Sequence, residues 1–507
     1  MPHRSPAKTA AAATVPGTAA GAAARSAVVV GGGISGLIAA RDLARAGLRV
    51  TVLEASGAFG GCVGTHQVAG LDLDSGAESF ATRSQAVPDL IAELGLADRI
   101  LPPNPAGSWL QLDAAELADG AQRMPSSGML GIPADPLAPD IVRAVGRAGA
   151  ARAALDRVLP VAPLTRRSSL SLGELVRARM GDQVLRRLVA PVVGGVYSAD
   201  PDALDVDSVA PGLRTAMAEH GSLAAAVGAL RKAAPAGSAV AALRGGMGQL
   251  SRALVEDLQA SGAVLRTGTA VTGLQRTDAA GGSGTSSTWQ VQADGQEFPA
   301  DVVVVATDGP AAVDLLAPVL PDLAAYRPQP GPGVALVTLV VDQPDLDAHP
   351  RGTGVLVARD VTGVDAKALT HATAKWQWLA DSTGPGTHVL RLSYGRGLAA
   401  GAGETPDTQA LRTDDDLFAQ ALKDASALLS VPLGADDVVG WDVVRWVGAL
   451  PSAAVGHSAR VAAVRSAVSG QPGLEAVGAW LAGTGLAAVT ADTRTRVRRL
   501  VDGTGVQ

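Results

Sequence analysis

The apolar positions along the chain switch between two periods, and the switches mark its elements. Near the start, Ala27–Val30 is a short apolar run. Leu37, Ala40, Leu43 and Ala44 then recur at helical spacing, Gly47 marks a helix end, and Leu48–Ala55 returns to a strand rich in β-branched residues. Ser26–Ala55 therefore predicts a βαβ unit. From Leu101 onward Pro102, Pro103, Pro105, Pro133, Pro136 and Pro139 recur, which reads as a connector leaving the first domain. Leu170–Leu188 and Met247–Ala260 are helical in pattern, the second following a Gly245–Gly246 turn. Gly262–Thr277 and Ser287–Ala293 alternate like strands, with Gly281–Ser287 as a flexible hairpin loop. Phe298–Thr307 reads as one continuous strand of a buried parallel sheet. Leu336–Val341, Val389–Tyr394 and Val438–Trp446 read as further strands, and Leu474–Leu500 as a strand, a glycine turn and a helix. Strand–glycine–helix units at both ends predict that distant segments build one nucleotide-binding domain.

The chain has 507 residues, enough for two or three domains. Its apolar fraction is 47% but aromatics make up only 3%, so the core is packed from Ala, Val and Leu. Net charge is −6 with no basic block, which argues against nucleic acid as a partner. A single cysteine excludes an internal disulfide and a cysteine-based metal cluster, and no metal site is expected. No run approaches the roughly 18–20 apolar residues of a bilayer span, which leaves a cytoplasmic protein, with peripheral membrane contact open. Residues 1–25 are basic, Ala-rich and free of acidic side chains. They resemble a transit peptide in composition and are read as a disordered tail.

The chemistry begins at GGGISG, where Gly31, Gly33 and Gly36 form a G-x-G-x-x-G directly between a strand and a helix. In that context the first glycine permits the tight turn, the second lets a pyrophosphate approach the backbone, and the third lets helix pack on strand. Gly32, Ile34 and Ser35 complete the loop, and the helix N-terminus supplies N–H groups to the phosphates. Glu54, 18 residues after Gly36, ends the next strand beside Ala55, where it can accept from ribose hydroxyls. A second glycine pair, Gly60–Gly61, lies six and seven residues beyond Glu54, followed by Cys62 and Thr65.

This second pair resembles the extended FAD signature of the flavin amine oxidase and protoporphyrinogen oxidase superfamily. Ala58 and Cys62 stand where that family usually has basic residues. DSGAESFATRS (Asp74–Ser84) resembles the segment that passes the flavin, and Ser171–Pro211, with its GVYSADPDAL core, resembles the substrate-domain signature of the porphyrinogen oxidases. LRGGMGQL (Leu243–Leu250), KWQWLA (Lys375–Ala380), VRWVGALPSAAVGH (Val444–His457) and AGTGLAAV (Ala482–Val489) follow in the family's order. Over residues 26–500 the chain looks like an oxygen-dependent porphyrinogen oxidase of Gram-positive, actinobacterial type.

The resemblance implies an α/β fold of two domains. One is a discontinuous Rossmann-like FAD-binding domain (26–100, 236–312 and 456–500). The other is a substrate domain with a helical part (101–235) and a mixed sheet (313–455), and 501–507 form a tail. It implies that Gly76 and Ala77 border the cofactor, that Val271 holds the adenine through its backbone, and that Trp446 lies near the flavin unless it is simply a core residue. Gly483, Gly485 and Leu486 would set the last helix against the flavin or ribityl chain. The redox work would be the flavin's, with no side-chain acid or base assigned and the backbone at Gly195 the candidate beside the pyrrole nitrogens. Leu356 and Thr370 are candidate pocket walls. Arg83, Lys367, Lys375, Arg391 and Arg396 are candidate partners for substrate carboxylates. The implied partners are a porphyrinogen and O2; a downstream chelatase and a homo-oligomer stay open. The implied reaction is oxidation of coproporphyrinogen III, with protoporphyrinogen IX as the alternative. A flavin amine oxidase, a carotenoid desaturase or a non-catalytic binding protein of the Rab escort type would be competing uses of the fold.

Overall fold

The computed structural model describes residues 25–113, 120–125, 128–233, 239–277, 289–331, 333–395, 411–448 and 454–503. The expected tail 1–25 apart from Arg25, the hairpin loop Gly281–Ser287 and Arg396 lie outside these residues.

A five-stranded parallel sheet is assembled from distant parts of the chain. In spatial order its strands are Val264–Arg266, Arg49–Leu53, Ser26–Val30, Val302–Val305 and Leu474–Ala476. Counted along the chain this is the order 3-2-1-4-5, the doubly wound arrangement, which places a ligand crevice where strand order reverses, outside the carboxyl ends of strands one and four. The first helix, Ile34–Arg45, and the last, Leu486–Gly503, cover one face together with Gly248–Ala260. Arg41, 1% exposed, ties these helices: its guanidinium bonds Glu93 and Asp257, both at 2.7 Å, and Arg494 reaches Glu93 at 2.8 Å. A buried charge is tolerated there because two carboxylates face it through Nη1 and Nε, although Nη2 is buried without a hydrogen-bond partner among the described residues.

The apolar run Phe298–Thr307 is not one strand. Gln296–Ala300 belongs to a three-stranded antiparallel sheet with Val271–Arg276 and Trp289–Ala293, whereas Val302–Val305 enters the parallel sheet; Asp301 marks the division and accepts from Ser26 N–H at 2.7 Å. Gly262–Thr277 is divided between the same two sheets. Each run has strand character on both sides of its division, so residue pattern alone does not show the break.

A second, seven-stranded mixed sheet runs Val438–Trp446, Val334–Asp342, Thr387–Tyr394, Ala368–His371, Gly354–Val357, Trp109–Gln111 and Ala121–Arg123. Its last two strands come from the Pro-rich stretch read as a connector, where prolines lie between or at the ends of short strands rather than excluding them. One face of this sheet packs on the helix Asp414–Leu429 through Val337, Leu339, Leu390, Leu392 and Tyr394. The other face, carrying Leu336, Leu356, Thr370, Arg391 and Ser393 at partly exposed positions, is left for the site.

Helices from Pro139 to Ala233 form a third layer with its own core. The predicted helix Leu170–Leu188 is interrupted at Gly181 (φ +87), after which a π-helical turn, Leu185–Val189, leads into Ala190–Tyr197. Arg179 and Asp156 pair at 2.6 Å inside this layer, and Asp156 also accepts from the N–H groups of Leu223 and Ala224.

Candidate functional site

The crevice of the parallel sheet is built by glycines that are required for different reasons. Gly31 (φ +101) lies against Ala306, with a Cβ placed 2.8 Å from that residue's carbonyl oxygen; a Cβ on Gly36 would collide with the carbonyl of Gly31. Those two glycines serve the fold. Gly33 is different: its φ is −69°, open to any residue, and among the described residues, its chain neighbours aside, no atom lies within 4 Å of its Cβ position. The space over Gly33 is at the N-terminus of a twelve-residue helix with no side-chain cap and no acidic residue in its first turn. Ile34 and Ser35 form that first turn and are buried. Such a cradle of free N–H groups suits a pyrophosphate. Gly60 N–H donates to Gly32 O at 2.8 Å, and the Cβ position of Gly61 (φ +55) is 3.3 Å from Gly33 Cα, so the second glycine pair closes the cradle from the side. Gly483 (φ +101) and Gly485 also face open space, just before Leu486 opens the last helix.

Glu54 sits half-buried at the end of its strand with its carboxylate accepting from Gly32 N–H at 2.6 Å and Ser56 N–H at 2.8 Å; Ala55 beside it is exposed. Its carbonyl accepts from Thr269 N–H at 2.8 Å, which brings Val271 alongside. Acid, glycines and the edge at Val271 thus surround one crevice. The residues fit a dinucleotide-type cofactor.

From Cys62 the chain turns into the hairpin Thr65–Val68 and Leu71–Asp74 and then runs back past Cys62. Ala77 N–H donates to Cys62 O at 2.8 Å, and a Cβ on Gly76 would collide with that same oxygen. Cys62 is exposed as a residue, yet the protein packed around its thiol desolvates it and pushes its pKa up. That is the opposite of an activated nucleophile.

The seven-stranded sheet meets this segment directly. Trp446 Nε1 donates to Ser75 O at 2.7 Å. Arg391 Nη1 donates to Gly76 O at 2.9 Å, and Arg391 Nη2 pairs with Glu78 at 2.9 Å. Lys375 bonds the other oxygen of Glu78. Burial pushes the Glu78 carboxyl up, but Lys375 and Arg391 outweigh it and hold it at about 2. Asp74, which accepts from Gly248 N–H at 3.2 Å, is pushed by burial to about 6.

Gly195 lies in the helix Ala190–Tyr197 with its Cβ position 2.7 Å from Leu356 Cδ2, so helix and sheet touch at these two residues. Thr370 lies across from Gly354 in the same sheet and beside Arg391 in the next strand. Beyond Leu356 is a cavity of about 230 Å³ lined by Met124, Leu130, Ile141 and Val192. The cations are placed unequally. Arg83 is exposed, and its charge acts on Tyr197. Lys367 is 2% exposed and bonds Ser198 Oγ and Gly395 O (2.7 Å) behind that helix's end. Sequence reasoning gave Glu78 no role. Its only signal was its place in the Asp74–Ser84 motif.

Strand order, glycine cradle and a second sheet closing over it define a two-domain flavin oxidoreductase. The chain belongs to the flavin containing amine oxidoreductases, whose family profile matches residues 34–490. It is 31% identical to the coproporphyrinogen III oxidase of Propionibacterium freudenreichii, over 94% of this chain and 90% of that one, and 32% identical to that of Mycobacterium leprae, over 92% and 95%. A crystal structure from Exiguobacterium, named as a protoporphyrinogen oxidase, superposes with TM-score 0.78 at 27% identity, covering 95% of this chain and 99% of the other. No helix among the described residues is long and apolar enough to cross a membrane.

Proposed function

We propose that this protein oxidises coproporphyrinogen III to coproporphyrin III, using FAD and dioxygen, in the cytoplasm. The observation that carries the reading is likeness to coproporphyrinogen III oxidases across more than nine-tenths of the chain, at 31% and 32% identity. The substrate is a non-planar, uncharged macrocycle with carboxylate side chains. Its conversion removes six hydrogens in three two-electron steps, so that one porphyrinogen and three O2 give one porphyrin and three H2O2. FAD, when bound, supplies the two-electron acceptor.

The protein's own residues bind and orient. The N–H groups above Gly33 would hold the pyrophosphate, and Glu54 the ribose hydroxyls. Gly195, Leu356 and Thr370 would form the wall for the macrocycle, with Arg83 as the cation open to its carboxylates. The segment Ser75–Ala77 would run beside the flavin.

Anaerobically prepared coproporphyrinogen III, mixed with the yellow protein and then oxygen, should give fluorescent coproporphyrin and peroxide. A rate no greater than autoxidation overturns the reading. Protoporphyrinogen IX is the second reading, favoured by the name of the Exiguobacterium structure. The ratio of kcat/KM for the two substrates decides between them.

A further inference from the structure

The contacts between the seven-stranded sheet and the cofactor crevice converge on one carboxylate. Glu78 receives Lys375 on one oxygen and Arg391 on the other, and the three side chains are 15%, 18% and 15% exposed for Glu78, Lys375 and Arg391. Arg391 also fixes Gly76 O, and Trp446 fixes Ser75 O. The clamped segment bonds Cys62 through Ala77 N–H, and Cys62 follows Gly61, which abuts Gly33. A path of direct contacts therefore runs from the substrate sheet to the pyrophosphate cradle. The two cations read from sequence as substrate-carboxylate partners are both engaged by Glu78.

We propose that Glu78 is a positioning residue: it ties Arg391 and Lys375 to the Ser75–Ala77 segment, sets that backbone against the cofactor loop, and lowers the local charge facing the flavin from +2 to +1. The inference rests on the flavin oxidase reading. Removing one member of a largely buried ion cluster leaves charge uncompensated, so the effect reaches beyond the pair itself. Added positive charge near the flavin favours its reduced, anionic form.

The test measures the FAD dissociation constant by flavin fluorescence and the flavin midpoint potential by dye-equilibrated reduction. It uses the full-length protein, Glu78→Gln and the double variant Glu78→Gln/Lys375→Met. Glu78→Gln should weaken FAD binding about tenfold, equivalent to about 1.4 kcal/mol, and shift the potential positive. The double variant restores the net charge but not the tie. Its potential should return toward the wild-type value while FAD binding stays weak. Wild-type affinity and potential in Glu78→Gln overturn the proposal. If that variant fails to fold, wild-type FAD affinity in the double variant overturns it. A wild-type protein that binds no FAD sinks the flavin reading instead, whatever Glu78 does.

Discussion

Trp446 and Ser75, 371 positions apart in the chain, are joined by a 2.7 Å hydrogen bond from the indole to the main-chain carbonyl. The bond links the edge strand of the seven-stranded sheet to the segment that runs beside the cofactor crevice. Trp446→Phe keeps an aromatic side chain but removes the indole N–H and part of the ring system. It should cost about 1 kcal/mol of stability, the usual worth of a neutral hydrogen bond, read by urea denaturation. A variant as stable as wild type would show that the bond is dispensable.

Gly33 and Gly36 separate ligand binding from folding. Gly36→Ala drives a methyl into the Gly31 carbonyl and should destabilise the protein by more than about 3 kcal/mol. Gly33→Ala meets no protein atom and should fold with wild-type stability as apoprotein, yet purify without yellow colour. Flavin retained at wild-type occupancy in Gly33→Ala would move the pyrophosphate away from this helix.

Asp74 predicts a pH dependence of definite sign. Burial raises its pKa from 3.8 to about 6 in the folded protein. The native state then holds a proton that the unfolded chain lacks, so this contribution to stability is full below pH 3.8 and is lost as pH rises through 6. Asp74→Asn keeps an acceptor for Gly248 N–H and removes the charge. The stability of wild type relative to Asp74→Asn should fall between pH 4 and 6.5 and level off above; a flat difference contradicts the burial of this carboxyl.

His371 should act in the opposite direction. Burial, then the charges of His388 and His349, push its imidazole down from 6.5 to about 3. Its Nε2 lies 3.0 Å from His388 Nδ1, and His388 Nε2 lies 3.1 Å from Asp347. Its stabilising contribution is present above pH 6.5 and is lost as pH falls toward 3. His371→Phe should flatten this acid limb of a denaturation-midpoint profile. An unchanged limb assigns the acid sensitivity elsewhere.

Cys62 contributes to the crevice through its main chain. Cys62→Ala leaves the carbonyl that accepts from Ala77 N–H and should retain flavin affinity and turnover within about twofold, well under the 1.4 kcal/mol of a tenfold change. Loss of turnover with flavin still bound would return the thiol to the reaction.

The crevice was legible where local backbone need and ligand need coincide. Gly31, Gly33 and Gly36 carry both in six residues, and Glu54 follows at a spacing set by one helix and one strand. The substrate side was less legible, because its contacts are made across the chain. Lys367 and Arg391 are equivalent as sequence symbols, yet one is sealed behind a helix end by Ser198 and the other is held by Glu78. Pairing of this kind depends on the register of Thr370 with Arg391 and on the hairpin that returns Gly76 to Cys62, neither of which periodicity encodes. The same limit explains why Phe298–Thr307 read as one strand when Asp301 divides it between two sheets.

The 3-2-1-4-5 strand order has a consequence for synthesis. The strand Leu474–Ala476 and the helix Leu486–Gly503 complete the layer begun by Ser26–Val30 and Ile34–Arg45, so those earlier elements wait for segments made much later before their sheet is whole. Contacts of such sequence separation close slowly, and the unfinished edge at Val302–Val305 stays exposed meanwhile. A nascent chain stalled before residue 474 would hold the glycine loop, Glu54 and the seven-stranded sheet, yet lack the edge strand and the helix that complete the parallel sheet and its core. The crevice is therefore expected to take up flavin only after Leu474–Ala476 and Leu486–Gly503 have been made and packed.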